Sequence, residues 1–404
     1  MKPRPERLTH RIAMMPIVAA LTVAALVLLS AMGCDRPEAG MSAAVEADTL
    51  PALKEVFDGA FLIGAALNPG QFTEFDAAGA RLVKKHFNTI TAENVLKWAE
   101  VHPEPDRYDF EQADQFVDFG EANDMFIVGH TLVWHNQTPR WVFEDENGER
   151  LGREVLLERM HDHIQTVVGR YRGRIHGWDV VNEALNEDGT LRQSPWLQII
   201  GEDYIEQAFR WAHEADPDAE LYYNDYSLEN PAKRDGAVRL VRRLLDAGIP
   251  VAGIGTQAHH LIDPNHPTVE AQAAAIDSFA ALGVDVMITE MDIAVLPRPQ
   301  QYWGADITQS AELSAELNPF SEGLPDSVQV QLAQRYADLF DVFLQKSDKI
   351  SRVTLWGVRD TDSWLNNWPI RGRTTYPLLF DGQGRPKPAF HAVVAAARRP
   401  RAEM

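Results

Sequence analysis

Short apolar runs that alternate with longer segments of helical periodicity are the sequence feature that most restricts the fold of this chain. From residue 53 onward, each apolar run has the length of a strand and precedes a segment with apolar residues at three-and-four spacing, as in residues 154–168 and 235–247. The strand candidates are residues 61–67, 89–91, 126–133, 177–181, 220–223, 251–256, 285–289 and 352–356. Eight alternating β and α units predict an α/β protein with the architecture of a (β/α)8 TIM barrel.

The composition is that of a soluble globular protein. Hydrophobic residues make up 45% of the 404 residues and charged residues 24%, which excludes a disordered chain or a membrane-embedded one. The formal net charge of −21 opposes binding to nucleic acid, and to anionic lipid headgroups through the protein surface. We therefore expect no nucleic-acid partner. Tryptophan occurs 10 times, and indole rings both fill cores and stack on the apolar faces of sugars.

The N-terminal region has the pattern of an export signal. Basic residues precede an uncharged stretch, residues 12–33, which ends directly before Cys34, the only cysteine of the chain. This pattern resembles a bacterial lipoprotein signal, whose cleavage leaves the cysteine as the lipid-bearing N-terminus, although Ala31 stands where Leu is usual. An uncleaved membrane anchor is the alternative, because the stretch is about as long as the roughly 20 residues that cross a bilayer.

Three segments follow from this pattern. We predict a lipoprotein-type signal peptide over residues 1–33, a flexible tether over residues 34–52 and a (β/α)8 catalytic domain over residues 53–396. The protein is then exported and held by lipid at the bacterial cell envelope, with an uncleaved anchor or plain secretion as alternatives. One connection, residues 296–326, is too long for a simple βα loop. It predicts either an ordered lid or substrate wall, or an insertion without a role at the site.

Two carboxylates fall at the carboxyl ends of predicted strands. Residues 177–183 read GWDVVNE and end at Glu183, and residues 286–292 read VMITEMD and contain Glu290. The carboxyl ends of barrel strands ring one mouth, and the fourth and seventh predicted strands lie on its opposite sides. Glu183 and Glu290 can therefore face each other across a ligand, which is the arrangement that glycoside hydrolysis requires. A single Glu at a strand end would more often be solvated or cap a helix.

The two motifs resemble the acid/base and nucleophile signatures of glycoside hydrolase family 10. The match continues in the same order through residues 91–98 (TAENVLKW), 129–135 (GHTLVWH), 255–259 (GTQAH), 355–358 (LWGV) and 362–364 (DSW), and it covers nearly all of the chain from residue 53 to about 394. The resemblance implies a TIM barrel that hydrolyses internal β-1,4-xylosidic bonds of xylan with retention, by double displacement. Asn136 departs from the family, which often has Ser in this loop.

The resemblance assigns Glu183 as general acid/base and Glu290 as nucleophile. An ionised Glu290 nearby is expected to raise the pKa of Glu183 and keep it protonated. His259, near the end of the sixth predicted strand, can donate to Glu290 while Asp292 holds the imidazole; a His satisfied by backbone is the alternative. Asn182 can bind the substrate 2-hydroxyl, or it caps the following helix.

The remaining predicted site residues are expected to contact the sugar through polar or aromatic side chains. They are Glu93, Asn94, Lys97, His130, Trp134, Gln137, Tyr226, Gln257, Trp356 and Trp364. A surface ion pair between Glu93 and Lys97 at helical spacing is the alternative for those two, and a place in the core is the alternative for the tryptophans.

No metal or cofactor is expected. The pairs His259-His260 and His161-x-His163 lack the ligand spacing of a zinc site, and residues 253–255 (GIG) lack the third glycine of a dinucleotide-binding loop. The expected partners are xylan and xylooligosaccharides, and the protein is expected to be a monomer.

Two rival functions remain at this point. One is another retaining β-glycanase on the same barrel, such as a cellulase or a mixed-linkage glucanase. Two sets of residues favour xylan: Glu93, Asn94 and Lys97, and Gln257 and His259. The other is a surface lipoprotein that binds glycans without cutting them, which would not need two facing carboxylates supported by His259 and Asp292.

Overall fold

The predicted strands form one closed parallel barrel. The computed structural model describes residues 50–299 and 304–399, all of which belong to the compact unit Val45–Met404. Its strands are β1 (Leu62–Leu67), β2 (Thr89–Ala92), β3 (Phe126–Val133), β4 (Gly177–Asn182), β5 (Glu220–Asp225), β6 (Gly253–Thr256), β7 (His259–Leu261), β8 (Asp285–Ala294) and β9 (Ile350–Leu355). Every predicted strand is present, and the predicted TIM barrel is confirmed.

Strand pairing closes eight of the strands into a ring. The order is β6-β5-β4-β3-β2-β1-β9-β8, and β6 also pairs with β8 through the register Gly253↔Asp285 to Thr256↔Ile288. All of these pairings are parallel, so the carboxyl ends of the eight barrel strands meet at one mouth.

Helices follow the strands and cover the barrel. Their bounds are Leu53–Val56, Pro69–Phe72, Ala77–His86, Trp98–Val101, Glu111–Ala122, Arg153–Arg170, Pro195–Ile200, Tyr204–Ala215, Pro231–Asp246, Val269–Ala280, Asp326–Gln345 and Pro388–Ala397. Short 3₁₀ helices occupy Arg140–Val142, Ala315–Leu317, Asp360–Asp362 and Trp364–Asn366. The helix predicted over residues 235–247 begins earlier, at Pro231, because the side chain of Asn230 caps its N-terminus.

The short strand β7 was not predicted, and it changes the geometry of the mouth. It pairs in parallel with the distal part of β8, with His259 opposite Asp292. Strand β8 therefore continues to Ala294, past the end predicted at residue 289. This register explains why His259 and Asp292 lie side by side.

The two glycines of residues 253–255 serve strand packing. A Cβ atom on Gly255 would lie 2.3 Å from Asn224 Oδ1 and 2.7 Å from Thr289 Cγ2, closer than carbon can approach. A Cβ atom on Gly253 would lie 2.8 Å from Met287 Sδ. Because both glycines make room for side chains of neighbouring strands, their spacing has a structural cause inside the barrel.

Several predicted segments fall wholly or partly outside the described residues. The signal peptide, Cys34 and most of the tether precede residue 50, and Tyr302 and Trp303 of the long connection lie between the two described ranges. Within residues 50–299 and 304–399, the structure contains no helix with the length and apolarity needed to cross a bilayer.

Candidate active site

The two carboxylates predicted to carry the chemistry lie buried at the mouth of the barrel. Glu183 directly follows β4 and is 4% exposed, and Glu290 lies within β8 and is 5% exposed. Glu183 adopts a positive φ of 58°, a conformation unusual for a residue with a side chain, and its backbone N–H donates to Asn224 O at 2.9 Å. Because both carboxyl groups are buried, their hydrogen-bond partners determine how well the ionised form of each is stabilised.

An amide network joins the two carboxylates. Asn224 Nδ2 donates to Glu290 Oε1 at 2.7 Å and to Asn182 Oδ1 at 3.0 Å. Gln257 Nε2 donates to Glu183 Oε1 at 3.1 Å and to the same Asn182 oxygen at 3.2 Å. The side chain of Asn182 thus connects both sides of the site, which favours the predicted role at the site over the capping alternative.

The nucleophile side contains the predicted histidine and aspartate. His259 Nε2 lies 3.3 Å from Glu290 Oε2, and His259 Nδ1 lies 3.1 Å from Asp292 Oδ1. The second approach is close but not linear, so the contact is mainly ionic. Trp364 Nε1 donates to the other Asp292 oxygen at 2.7 Å. Burial acts to lower the pKa of His259, but Asp292 and Glu290 together raise it to about 10, so the ring is a cation at neutral pH.

The pKa values of the two carboxyl groups move in opposite directions. Burial tends to raise the pKa of Glu290. The hydrogen bond and the charge of His259, together with the hydrogen bond from Asn224, hold that pKa below its usual value. Burial and then the charge of Asp225 raise the pKa of Glu183 to about 7. Glu290, which was expected to cause this rise in the pKa of Glu183, contributes less to it than either burial or Asp225.

The turn after β2 brings three predicted residues to the mouth. Lys97 is 6% exposed and donates from Nζ to Asn94 Oδ1 at 3.0 Å and to Gln137 Oε1 at 2.9 Å. Its Nζ atom also lies 4.9 Å from the centre of the Trp134 ring. Residues 93–97 form a turn and not a helix, and the ion pairs of the described residues include none between Lys97 and Glu93. The surface ion pair considered as an alternative is therefore absent from the described structure.

Aromatic rings surround the same mouth. Trp356 lies edge-on to His130 at 5.4 Å and to His259 at 6.4 Å, which places it between the two sides of the site. His130 Nδ1 lies 2.9 Å from Asp179 Oδ2. Trp364 lies 4.9 Å from His259 and stacks on Trp368 at 4.5 Å. The predicted tryptophans thus contact site residues, although Trp134 and Trp356 are nearly buried.

A cavity of about 750 Å³ opens beside His259, the residue that contacts Glu290. Tyr226 lies in its wall, with its hydroxyl accepting a hydrogen bond from Arg192 at 2.8 Å. The wall also includes His259 and, from the long connection, Asp306 and Gln309. Residues 304–309 therefore border the cavity, which favours the substrate-wall interpretation of that connection over an insertion without a role.

Three residues of the site were missed by the sequence analysis. Asn224 contacts Glu290 directly, Asp225 acts electrostatically on Glu183, and Arg192 donates from Nε to Glu183 O at 3.0 Å. A signal for the first two was present, because both are polar residues at the end of a predicted strand, as Glu183 is. Arg192 gave no such signal, since it lies in a loop.

The histidine pairs have other partners. His163 stacks on Trp98 at 3.7 Å, and His260 Nε2 lies 3.0 Å from Gln272 Oε1. Across the described parts of the chain, no group of three or more His, Cys, Asp or Glu side chains is arranged to hold a metal ion.

Comparison with known proteins places this barrel in a family. The profile of glycosyl hydrolase family 10 matches residues 52–396. The chain is 46% identical over 351 residues to endo-1,4-beta-xylanase A of Xylanibacter ruminicola, covering 87% of this chain and 95% of that protein. It is 44% identical over 353 residues to an endo-1,4-beta-xylanase of Geobacillus stearothermophilus, covering 86% of this chain and 98% of that protein.

Solved structures give the same result. A family 10 endoxylanase from a sugarcane soil metagenome superposes with a TM-score of 0.81 at 43% identity, covering 86% of this chain and all of that one (100%). Xylanase B of Paenibacillus barcinonensis superposes with a TM-score of 0.77 at 41% identity, covering 86% and 98% of the two chains. The resemblance found in the sequence is confirmed: the chain belongs to glycosyl hydrolase family 10.

Proposed function

We propose that this protein is an endo-1,4-β-xylanase that cleaves internal β-1,4-xylosidic bonds with retention by double displacement. The observation that carries the proposal is the pair of buried carboxyl groups with opposed pKa shifts, Glu183 upward and Glu290 downward, at one barrel mouth. A retaining glycosidase needs one protonated and one ionised carboxyl group at the start of its cycle.

In the first step, Glu290 attacks the anomeric carbon and the bond to the leaving oxygen breaks. The proton of Glu183 passes to that oxygen, so the leaving chain departs as an alcohol. The cationic His259 and the amide of Asn224 hold Glu290 ionised and oriented for this attack. The product is a glycosyl-enzyme ester on Glu290, with Glu183 now ionised.

In the second step, Glu183 acts as a base. It takes a proton from a water molecule whose oxygen attacks the anomeric carbon, and the ester bond to Glu290 breaks. Both carboxyl groups return to their starting states, and two inversions leave the configuration unchanged. We expect Asn182, which is held by Asn224 and Gln257, to contact the 2-hydroxyl of the sugar in both transition states.

The polar turn beside Trp134 supports xylan over other β-glycans. Lys97 and Gln137 are held by each other and by Asn94, so their remaining hydrogen-bonding capacity has a fixed direction. Fixed donors select among sugars by which hydroxyls they can reach. The xylanases that match nearly the whole barrel act as further support for this substrate, and a protein that only binds glycans has no need for the two carboxyl states.

We also propose that the barrel is exported, tethered through a lipid on Cys34, and monomeric. Support for the lipid comes from the position of the sole cysteine directly after an apolar stretch with a basic start. A tether would leave the mouth of the barrel accessible to polymeric xylan outside the cell.

Removing each carboxyl group separates their roles. Glu183→Ala should lower turnover of xylan by roughly 10²- to 10⁴-fold, the usual contribution of a general acid or base. An aryl xylobioside with an acidic phenol needs little protonation, so its first step should persist, and azide should restore turnover by replacing the base-assisted second step. Steady-state rates on both substrates, with and without azide, measure this.

The matched variant is Glu290→Ala, which should lose both substrates because no glycosyl-enzyme can form. Azide rescue of this variant should give a product of the opposite anomeric configuration. The assignment of Glu183 is wrong if Glu183→Ala loses the activated substrate as fully as xylan and does not respond to azide.

The pH dependence should follow the raised pKa of Glu183. The first step on a xylooligosaccharide requires protonated Glu183, so kcat/KM should fall as the pH rises through about 7. With an aryl xylobioside that has an acidic phenol, kcat/KM of the same enzyme should fall much less on the alkaline limb of its pH profile. An equally steep limb on both substrates would assign the alkaline group to another residue.

Cys34→Ser should abolish lipid attachment and normal processing of the precursor. Metabolic labelling with a fatty acid, followed by intact mass measurement, tests both effects in one preparation. A mature wild-type protein whose mass still includes residues 1–33 would instead identify that segment as an uncleaved anchor.

A further inference from the structure

A buried ion pair lies directly behind the site, and the double-displacement roles do not use it. Asp225 is the last residue of β5, and Lys233 lies in the first turn of the helix Pro231–Asp246. Lys233 Nζ is 3.0 Å from Asp225 Oδ1, and both side chains are completely buried, at 0% exposure. Lys233 Nζ also lies 3.5 Å from the centre of the Tyr226 ring.

The carboxylate of Asp225 also accepts hydrogen bonds from the backbone that follows β4 and from the backbone that follows β5. Its Oδ2 atom accepts a hydrogen bond from Leu185 N at 3.3 Å, and its Oδ1 atom accepts one from Tyr226 N at 2.9 Å. Leu185 is two residues after Glu183, whose own N–H donates to Asn224 O. One carboxylate therefore links the ends of β4 and β5 at the position of the acid/base.

The surroundings leave the pair little room to relax. A Cβ atom on Gly236 would lie 2.5 Å from Gly189 O, so the helix that carries Lys233 packs backbone to backbone against the loop that follows β4. Arg239 donates to the same Gly189 oxygen at 3.2 Å. A buried ion pair contributes little net stability compared with apolar residues of the same shape, which makes a purely structural account of Asp225 and Lys233 weak.

We propose that Asp225 and Lys233 form a positioning pair that governs how readily Glu183 releases its proton. The proposal rests on the acid/base role of Glu183 and adds two residues to it. The fixed negative charge of Asp225 keeps Glu183 protonated before the first step, and Lys233 limits that charge so that Glu183 can still ionise and serve as base in the second step.

Charged groups from three other elements of the mouth also act on Glu183. Glu290 approaches from β8, Lys97 from the turn after β2 and Arg192 from the loop after β4. Tyr226 follows β5 and is neutral at working pH, because burial raises its pKa to about 12. Among the charged groups that act on the pKa of Glu183, Asp225 has the largest effect, ahead of Glu290.

Two substitutions with opposite expected signs test the proposal. Asp225→Asn removes the negative charge with little change of shape, so the alkaline limb of kcat/KM on a xylooligosaccharide should move down by roughly one pH unit. Lys233→Met leaves Asp225 without its cation, so the same limb should move up. A ¹³C NMR titration of the Glu183 carboxyl group should show both shifts even in a variant of low activity.

The matched control is Glu187→Gln. Glu187 Oε1 lies 3.3 Å from the same Lys233 nitrogen, but its side chain is 54% exposed, so its charge is screened by solvent. The alkaline limb of this variant should stay where it is in the wild type. Thermal unfolding of all three variants should be recorded, so that a loss of fold is not read as a change of proton affinity.

The outcomes separate the pair from the function on which it rests. If Asp225→Asn and Lys233→Met remain folded and lower activity without moving the limb or the NMR titration of Glu183, the pair is only structural and the proposal is overturned. If the wild type does not hydrolyse xylooligosaccharides, or its alkaline limb does not follow the Glu183 titration, the proposed function itself fails.

Discussion

The amide of Asn224 is the interaction on which the rest of the site depends. Its two N–H bonds go to Glu290 and to Asn182, and Asn182 is bound in turn by Gln257, which also donates to Glu183. Repulsion between two buried carboxyl groups at one mouth opposes the ionisation of both, but it does not decide which of them keeps the proton. The network gives each of them different partners, and His259 on one side and Asp225 on the other complete the separation. Opposite protonation states are what double displacement requires.

The barrel supplies this network through strand geometry. Asn182, Asn224 and Glu290 come from β4, β5 and β8, and Glu183 and Gln257 directly follow β4 and β6, so closure of the sheet brings them to one mouth. Glycine at position 255 leaves the space that the Asn224 side chain occupies. The extra strand β7 then sets His259 opposite Asp292, which fixes the cation beside the nucleophile. The same few residues therefore both pack the barrel strands and position the reacting groups.

The sequence was most informative where apolar runs ended in polar residues. Strand existence and order could be predicted from periodicity, and Glu183 and Glu290 from their place at strand ends. The strand β7 could not, because three residues paired on one side only leave no periodic signal. The ranking of charges around Glu183 was also beyond the sequence. Its neighbours Asp225 and Lys233 are distant in the chain, and their effect depends on burial that only packing reveals.

The most direct test of the account is to trap the glycosyl-enzyme. A 2-deoxy-2-fluoro xylobioside with an activated leaving group loses the 2-hydroxyl contact that strengthens in the transition state, so the covalent intermediate should accumulate. Peptide mapping by mass spectrometry should then find one fluoroxylobiosyl group per protein, attached to Glu290. A stable label on any other residue, or turnover without a covalent species and with an inverted product, would contradict the account.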